Sequence, residues 1–261
     1  MALRLDQAIA QRFPEISRRK ARELLAAHRV LVNERPVSIA SRVVTDGDRI
    51  AIVEAAAGLS IIAITDEIVA VDKPAGLDVQ PARDRKQRSL EELLRLHLKR
   101  ETGSGELYLV HRIDTVTSGI VLFARTRAMA TTLSQLFASG AMRKLYVAVV
   151  NGLLDGERTI DDPIARDTET AFRLSPSGRA AVTHVRPRSS ANGQTLVEIE
   201  IATGRTHQIR VHLASIGHPI VGDRKYGPAA PSSSRLMLHA WLIEHTGIGR
   251  FVAPIPQEFG Q

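Results

Sequence analysis

The chain has 261 residues, 44% apolar and only 4% aromatic, with 35 Lys and Arg against 28 Asp and Glu, a net charge of +7 and a pI near 10.2. With no cysteine, disulfides, a thiolate nucleophile and cysteine-ligated zinc are excluded, and no apolar run reaches membrane-spanning length. The length suits one large domain plus a small one, and the basic excess suits a polyanionic partner, which so few aromatics would not hold by stacking alone.

In chain order, Leu5, Ile9 and Phe13 recur at helical spacing and stop at Pro14. Ser17 is placed to cap a second helix with Ala21, Leu24, Leu25 and His28 on one face. Val30-Leu31-Val32 reads as a strand reaching a turn at Asn33-Glu34. Asp46-Gly47-Asp48 turns into a second strand, Arg49-Ile50-Ala51-Ile52-Val53. Residues 1–53 hold ten Lys and Arg against six acidic residues. Arg18, Arg19, Lys20 and Arg22 gather at the start of the second helix, where free backbone N–H groups also favour phosphate. A solvated helix face is the alternative for such a run. Residues 54–60, EAAAGLS, read as a linker.

From Ile61 the pattern is mixed. Ile68-Val69-Ala70-Val71 is a strand ending at Lys73-Pro74. Ser89 with Glu92 forms a capping box ahead of Leu90, Leu93, Leu94 and Leu98. Met129, Leu133, Leu136 and Phe137 mark another helix, closed by Gly140. Strands are expected at 146–150, 196–201 and 236–241. Thr206 is expected to cap a helix carrying Ile209, Leu213 and Ile216 and ending at Gly217. No repeat is present; residues 228–234 form a Pro/Ser-rich loop. Periodicity alone gives an α+β protein with several strands.

Two runs carry the chemistry. His111-Arg112-Ile113-Asp114-Thr115-Val116-Thr117-Ser118-Gly119 delivers one carboxylate on a polar loop just before the apolar run Ile120–Ala124, where a strand can hold it rigidly. On that loop alone, Asp114 is a nucleophile or simply half of an ion pair. The second run is Gly204-Arg205-Thr206-His207-Gln208-Ile209-Arg210-Val211-His212-Leu213, continuing to Gly217-His218-Pro219-Ile220-Val221-Gly222-Asp223-Arg224-Lys225-Tyr226-Gly227.

Together these resemble the RluA-type pseudouridine synthases, whose hallmark runs are HRLDxxTSG and GRTHQIRxHL…GHPIxGDxxYG. Asp72-Lys73-Pro74-Ala75-Gly76-Leu77 and Arg143-Lys144-Leu145-Tyr146 agree with two further elements of that family. Ile113 stands where Leu is usual, and Val116 where a polar residue is common. The first fifth resembles the S-four-type (alpha-L) RNA-binding domain through RLDxxI, Ser17-Arg18-Arg19, VLVN and GDRI. The resemblance implies an α+β pseudouridine synthase catalytic domain with a mixed, mostly antiparallel central sheet over 61–261, and a small N-terminal alpha-L domain over 1–57.

It also implies roles. Asp114 matches the catalytic Asp, Arg205 the Arg that pairs with it, and Tyr146 the active-site Tyr beside the flipped uracil. Arg112 matches the Arg entering the space the nucleotide leaves, with a phosphate contact as the competing role. Ile220 and Val221 would wall the uracil, and Lys73 and Pro74 would shape the cleft. RNA is the expected partner, ribosomal large-subunit RNA first and transfer RNA second. The protein is expected to be a cytoplasmic monomer without membrane, metal or cofactor. A silent RNA-binding ribosome-assembly factor is the alternative from a different class.

Other residues carry less. His207 and His212 are five apart with no Glu in HExxH placement, so zinc is not expected. His111 and His239 are read as positioning the loops by hydrogen bonds. Thr-Val-Thr-Ser-Gly is not a GxSxG elbow, and no base partner for Ser118 is indicated. No Gly-rich phosphate loop is present. Arg143 and Lys144 read as a polar, surface-facing strand start.

Overall fold

The computed structural model describes residues 2–26, 30–33, 35–37, 39–52, 59–81, 88–229 and 233–260. Two compact units result: residues 1–60 with 76–107, and residues 61–75 with 108–261.

In the first unit, β1 (Leu3–Arg4) runs into α1 (Leu5–Arg12), followed by α2 (Arg18–Ala26), β2 (Val30–Val32), β3 (Arg35–Pro36), β4 (Val43–Val44) and β5 (Ile50–Ile52). Pro14 ends the first apolar period, and the Ser17 hydroxyl accepts from Lys20 N–H at 3.2 Å, capping α2 as expected. The helices bury Leu5, Ile9, Ala21, Leu24 and Leu25 against Val30, Val32 and Val44. β1 pairs with β4, and the order β3-β2-β5 makes a small antiparallel sheet. His28, Glu34 and Val53 lie outside the described residues, as does most of the expected linker.

β6 (Ser60–Ile64) and β7 (Ile68–Lys73) come next, then α3 (Leu90–Thr102) in the first unit. The capping box is present in both directions: Ser89 Oγ accepts from Glu92 N–H, and Ser89 N–H donates to Glu92 Oε2 at 2.8 Å. β8 (Tyr108–Leu109), β9 (Ser118–Ala124) and α4 (Arg127–Ser139) follow. Thr126 caps α4, and Gly140 closes it with φ 78°.

The remaining strands are β10 (Arg143–Asn151), β11 (Arg158–Ile160), β12 (Ile164–Arg166), β13 (Phe172–Leu174), β14 (Thr183–Ala191) and β15 (Gln194–Ile201). Then come α5 (Gln208–Ser215), β16 (Leu238–His245) and β17 (Gly249–Val252). The strand expected from residue 236 begins at Leu238. A ten-stranded mixed sheet forms with the order β11-β14-β15-β10-β16-β9-β7-β6, β17 joining β16 and β8 joining β9. β16 and β9 run parallel; β7–β9, β10–β15, β10–β16 and β14–β15 are antiparallel. Its core joins Val147, Val150, Val197, Ile199 and Leu238 to Ile209 and Leu213 of α5 and to Ile220 and Val221. β12 and β13 form a separate hairpin.

β9 is buried at every position, as a central strand with both faces covered must be. Its second residue, Gly119, has φ 113° and lies against Ala240 of β16, so an added Cβ would fall 2.1 Å from the Ala240 carbonyl oxygen. Gly119→Ala is therefore expected to destabilise the protein by about 3 kcal/mol or more. A urea titration of both proteins checks this, with a clear fall in midpoint as the expected result.

Candidate active site

The Asp114 loop is pinned at several points. His111 Nε2 accepts from Leu122 N–H at 2.8 Å, and its ring stacks on Phe137 with centroids 4.2 Å apart. Burial, with Lys144 nearby, pushes that histidine down to about 3, so it is neutral and free to accept. Thr117 N–H donates to Asp114 O at 3.0 Å, a tight turn immediately before β9. Lys73, fully buried at the end of β7, donates to Thr115 O at 3.1 Å and Pro74 O at 3.0 Å. At the far end, Ser118 Oγ lies 2.9 Å from His239 Nδ1. Both histidines thus hold the loop, as expected from the sequence.

Ser118 does have a histidine neighbour, contrary to the expectation of none. The pair is buried, and Arg235 Nη2 donates to the same hydroxyl at 2.7 Å. That engagement makes the serine a structural link rather than an exposed nucleophile.

The carboxylate of Asp114 is 21% exposed. One of its oxygens, Oδ2, is approached by Arg210 Nη1 at 3.4 Å and by His207 Nε2 at 3.8 Å. His207 stands at the cap position of α5 and Arg210 in its first turn. Arg210 is held by Asp223, whose two oxygens accept from Nε and Nη2 at 2.8 Å each. This fork-to-fork geometry leaves Nη1 to face Asp114.

Asp223 Oδ1 also accepts from Lys225 N–H at 2.9 Å and Tyr226 N–H at 3.1 Å, folding the turn after Gly222. Burial acts to raise the Asp223 carboxyl, but the Arg210 pair and these N–H groups outweigh it and hold it below its usual range. Burial likewise acts against the Arg210 charge and is outweighed by Asp223 and Asp114. Gly222 has φ 80°, and a Cβ there would lie 1.8 Å from Arg235 O, so the turn admits no side chain. The Gly222-Asp223 step of that run is thereby explained by the arginine it orients.

Tyr146, half-buried on β10, lies close enough that burial and the Asp114 charge both push its hydroxyl upward, keeping it protonated. Ile220 and Val221 are buried next to the same strand, Val221 N–H donating to Val149 O at 2.8 Å. Arg112 is exposed, with no ion-pair partner among the described residues.

Arg205 is placed differently from the expectation. Its Nε donates to Ala180 O at 2.9 Å, near Arg179, and the arginine facing Asp114 is Arg210. The reason lies in the helix start. Thr206 is not the cap; His207 occupies that position with φ 58° and no capping side chain. The Gln208 carboxamide instead accepts from Arg205 N–H at 3.0 Å and from Thr203 Oγ1 at 2.8 Å. That turn sends 205 outward and aims 207 and 210 inward. Lys144 is also corrected: it is buried, donating to Met142 O at 2.8 Å, while Arg143 stays exposed.

In the first unit, Arg22 Nε, Arg4 Nε and Arg18 Nη2 converge on the fully buried Asp6 at 2.9, 3.2 and 3.3 Å. Three half-exposed guanidiniums around one carboxylate leave a net positive surface. Arg19 and Lys20 face Glu23 at 3.6 and 3.4 Å.

Comparison with known proteins agrees with this layout. The profile of the RNA pseudouridylate synthase family matches residues 67–215, more than half of the chain. The chain belongs to that family. An S4 domain profile matches residues 3–50 of the same synthase. The synthase is 31% identical to ribosomal large subunit pseudouridine synthase D of Haemophilus influenzae, over 99% of this chain and 90% of that one. It is 32% identical to the Nitrosomonas europaea protein of the same name, over 98% and 82%. Among solved structures it resembles human RNA pseudouridylate synthase domain containing 4, with TM-score 0.66 and 26% identity over 77% of this chain and 90% of the other. The chain is thus an RNA pseudouridine synthase, an isomerase, with an N-terminal S4 domain.

His207, Arg210, Asp223 and Tyr226 were not singled out from the sequence as site residues. Each sits inside a motif that was, and that placement was the available signal.

Proposed function

We propose that this synthase converts uridine to pseudouridine in large-subunit ribosomal RNA, with Asp114 as the reacting carboxylate. The observation that carries the reading is a partly exposed carboxylate with one oxygen engaged by a fixed, buried arginine. The names of the two bacterial relatives support the ribosomal substrate.

In the reaction the bond between ribose C1′ and uracil N1 breaks, the uracil turns, and C1′ rejoins at C5. The C5 proton leaves and N1 gains one, so atoms and electrons balance without redox chemistry or a group-transfer cofactor. Asp114 either bonds to C1′ or takes the C2′ proton to form an unsaturated sugar. Arg210 stabilises the carboxylate by charge and orientation. The Tyr146 ring stacks on the extruded uracil, Ile220 and Val221 back it, and Arg112 fills the vacated stack. Arg205 sits outside this constellation.

The N-terminal module, residues 1–57, binds RNA backbone through Arg18, Arg22, Arg19 and Lys20, and residues 61–261 carry the chemistry. Among the described residues no helix is long and apolar enough to cross a membrane, and a cytoplasmic monomer is the proposed form. Arg18→Gln with Arg22→Gln should weaken binding to every RNA sequence alike. The slope of log affinity against log salt should fall by about one to two. Fluorescence titrations at three or more salt concentrations read both.

The function is tested by mapping pseudouridine in total RNA from cells lacking the gene, complemented with wild type or Asp114→Asn. Loss of one or a few ribosomal marks, restored by wild type alone, is expected. Loss confined to transfer RNA would overturn the substrate assignment, and restoration by the Asn variant would overturn the role of Asp114.

A further inference from the structure

Next to the carboxylate lies a hydrogen-bonded chain that the reaction as written leaves unused. Phe172, at the start of β13, donates its backbone N–H to Tyr226 Oη at 3.0 Å. Tyr226 Oη lies 2.7 Å from His207 Nδ1, and His207 Nε2 lies 3.8 Å from Asp114 Oδ2. Two rings meet the imidazole edge-on, Phe172 at 5.4 Å and Tyr226 at 5.5 Å between centroids. A tyrosine hydroxyl has one proton to give. With Phe172 N–H already donating to it, the hydroxyl keeps that proton available for His207 Nδ1.

We propose that His207 and Tyr226 are positioning residues for the reacting carboxylate: Tyr226 fixes the His207 tautomer with its proton on Nε2, which with Arg210 engages Oδ2 and leaves Oδ1 of Asp114 for chemistry. This rests on the reading of Asp114 given above. A second, independent observation points the same way. His207 holds φ 58°, one of three non-glycine residues at positive φ among the described residues. Such a backbone persists only where its surroundings impose it, and it is this turn that aims the ring at Asp114.

The groups facing the imidazole are Asp114, Arg210, Asp223, Lys225, Tyr226 and Phe172. Burial disfavours the imidazolium first, Arg210 and Lys225 add to this, and Asp114 with Asp223 opposes it, leaving the ring below its ordinary value. His207 is therefore neutral at physiological pH, and which nitrogen carries its single proton decides whether a donor or a lone pair meets the carboxylate. At 3.8 Å the contact is electrostatic; such contacts in ligand-free enzymes commonly tighten when substrate is bound.

The test uses the full chain and an unmodified transcript of the host's large-subunit ribosomal RNA carrying tritium at uracil C5, with tritium release read under single-turnover conditions. Tyr226→Phe and His207→Leu are each expected to slow release about tenfold to a hundredfold, with half-saturating enzyme concentration within about twofold of wild type. His207→Gln, which keeps an N–H near Nε2, is expected to recover most of that loss. Because burial holds the ring below its ordinary value, the Tyr226→Phe deficit should narrow only on acidification below the usual histidine range, where protonating the imidazole restores the Nε2 proton whichever tautomer the variant holds.

The proposal is overturned if Tyr226→Phe releases tritium at the wild-type rate. It is equally overturned if that deficit is the same at every pH and His207→Gln is no better than His207→Leu. Asp114→Asn in parallel separates the two layers: its retaining wild-type release defeats the reading of Asp114 itself, whatever the other variants do.

Discussion

Asp114→Asn is expected to reduce tritium release by at least about a thousandfold, the scale lost when the nucleophile or base of a reaction is removed. The replacement is isosteric. The backbone carbonyl of residue 114 keeps its bond from Thr117 N–H, and Lys73 and His111 still hold the loop through Thr115 O and Leu122 N–H. Arg210 keeps its two bonds to Asp223. The carboxamide presents no anionic oxygen to C1′ or to the C2′ proton. RNA affinity should stay within about twofold, because the affinity of such complexes is dominated by contacts to the phosphate backbone. Full release by the Asn variant, measured with matched protein and RNA concentrations, would remove Asp114 from the chemistry.

The second large effect is on stability and activity together. Arg210 is 6% exposed and Asp223 fully buried, so Arg210→Met leaves a buried carboxylate without its countercharge. Breaking one side of such a pair costs about 3–5 kcal/mol. In wild type the folded Asp223 carboxyl lies below its unfolded value of 3.8. Its contribution is therefore present above about pH 4 and lost as pH falls through the lower folded value. In the variant the sign reverses. The unpaired buried carboxyl is raised, so it folds most easily when neutral, and the deficit relative to wild type narrows on acidification.

Adding Asp223→Asn to Arg210→Met should recover much of the stability, since no charge is left buried and an oxygen remains for Lys225 and Tyr226 N–H. Activity should stay lost, because Asp114 has no arginine. Chemical denaturation at two pH values, with tritium release on the same samples, reads all three expectations. Equal stability of Arg210→Met and wild type at neutral pH would show that the pair does not bear on folding.

Local signals in the chain suffice where a few neighbouring residues determine the outcome. Ser17 and the Ser89/Glu92 box cap their helices because a hydroxyl three residues before an unpaired N–H lies within reach of it. Gly140 ends α4 in the left-handed region for the same local reason. The burial of Ile120–Ala124 in β9 follows from an unbroken apolar run. The family itself was legible through motifs whose order and spacing survive without coordinates.

What sequence could not apportion was the choice among arginines. Arg205 and Arg210 lie five apart in one motif, and either could meet a carboxylate ninety residues upstream. In the fold His207 takes the cap position in the left-handed region, Arg205 reaches Ala180 O and Arg210 faces Asp114. Lys144 shows the same limit, since a lysine after an arginine reads as surface, whereas in the fold it is buried with its ammonium on the Met142 carbonyl. By itself the sequence determined the helices, the Ser17 and Ser89 caps and the buried central strand, products of short-range propensity and periodicity, and through its motifs the N-terminal module and the loop bearing Asp114. Tertiary structure alone decided which arginine faces Asp114, that Asp223 orients it, and that Tyr226 reaches His207, because each joins segments whose approach is set by the packing of the sheet and α5.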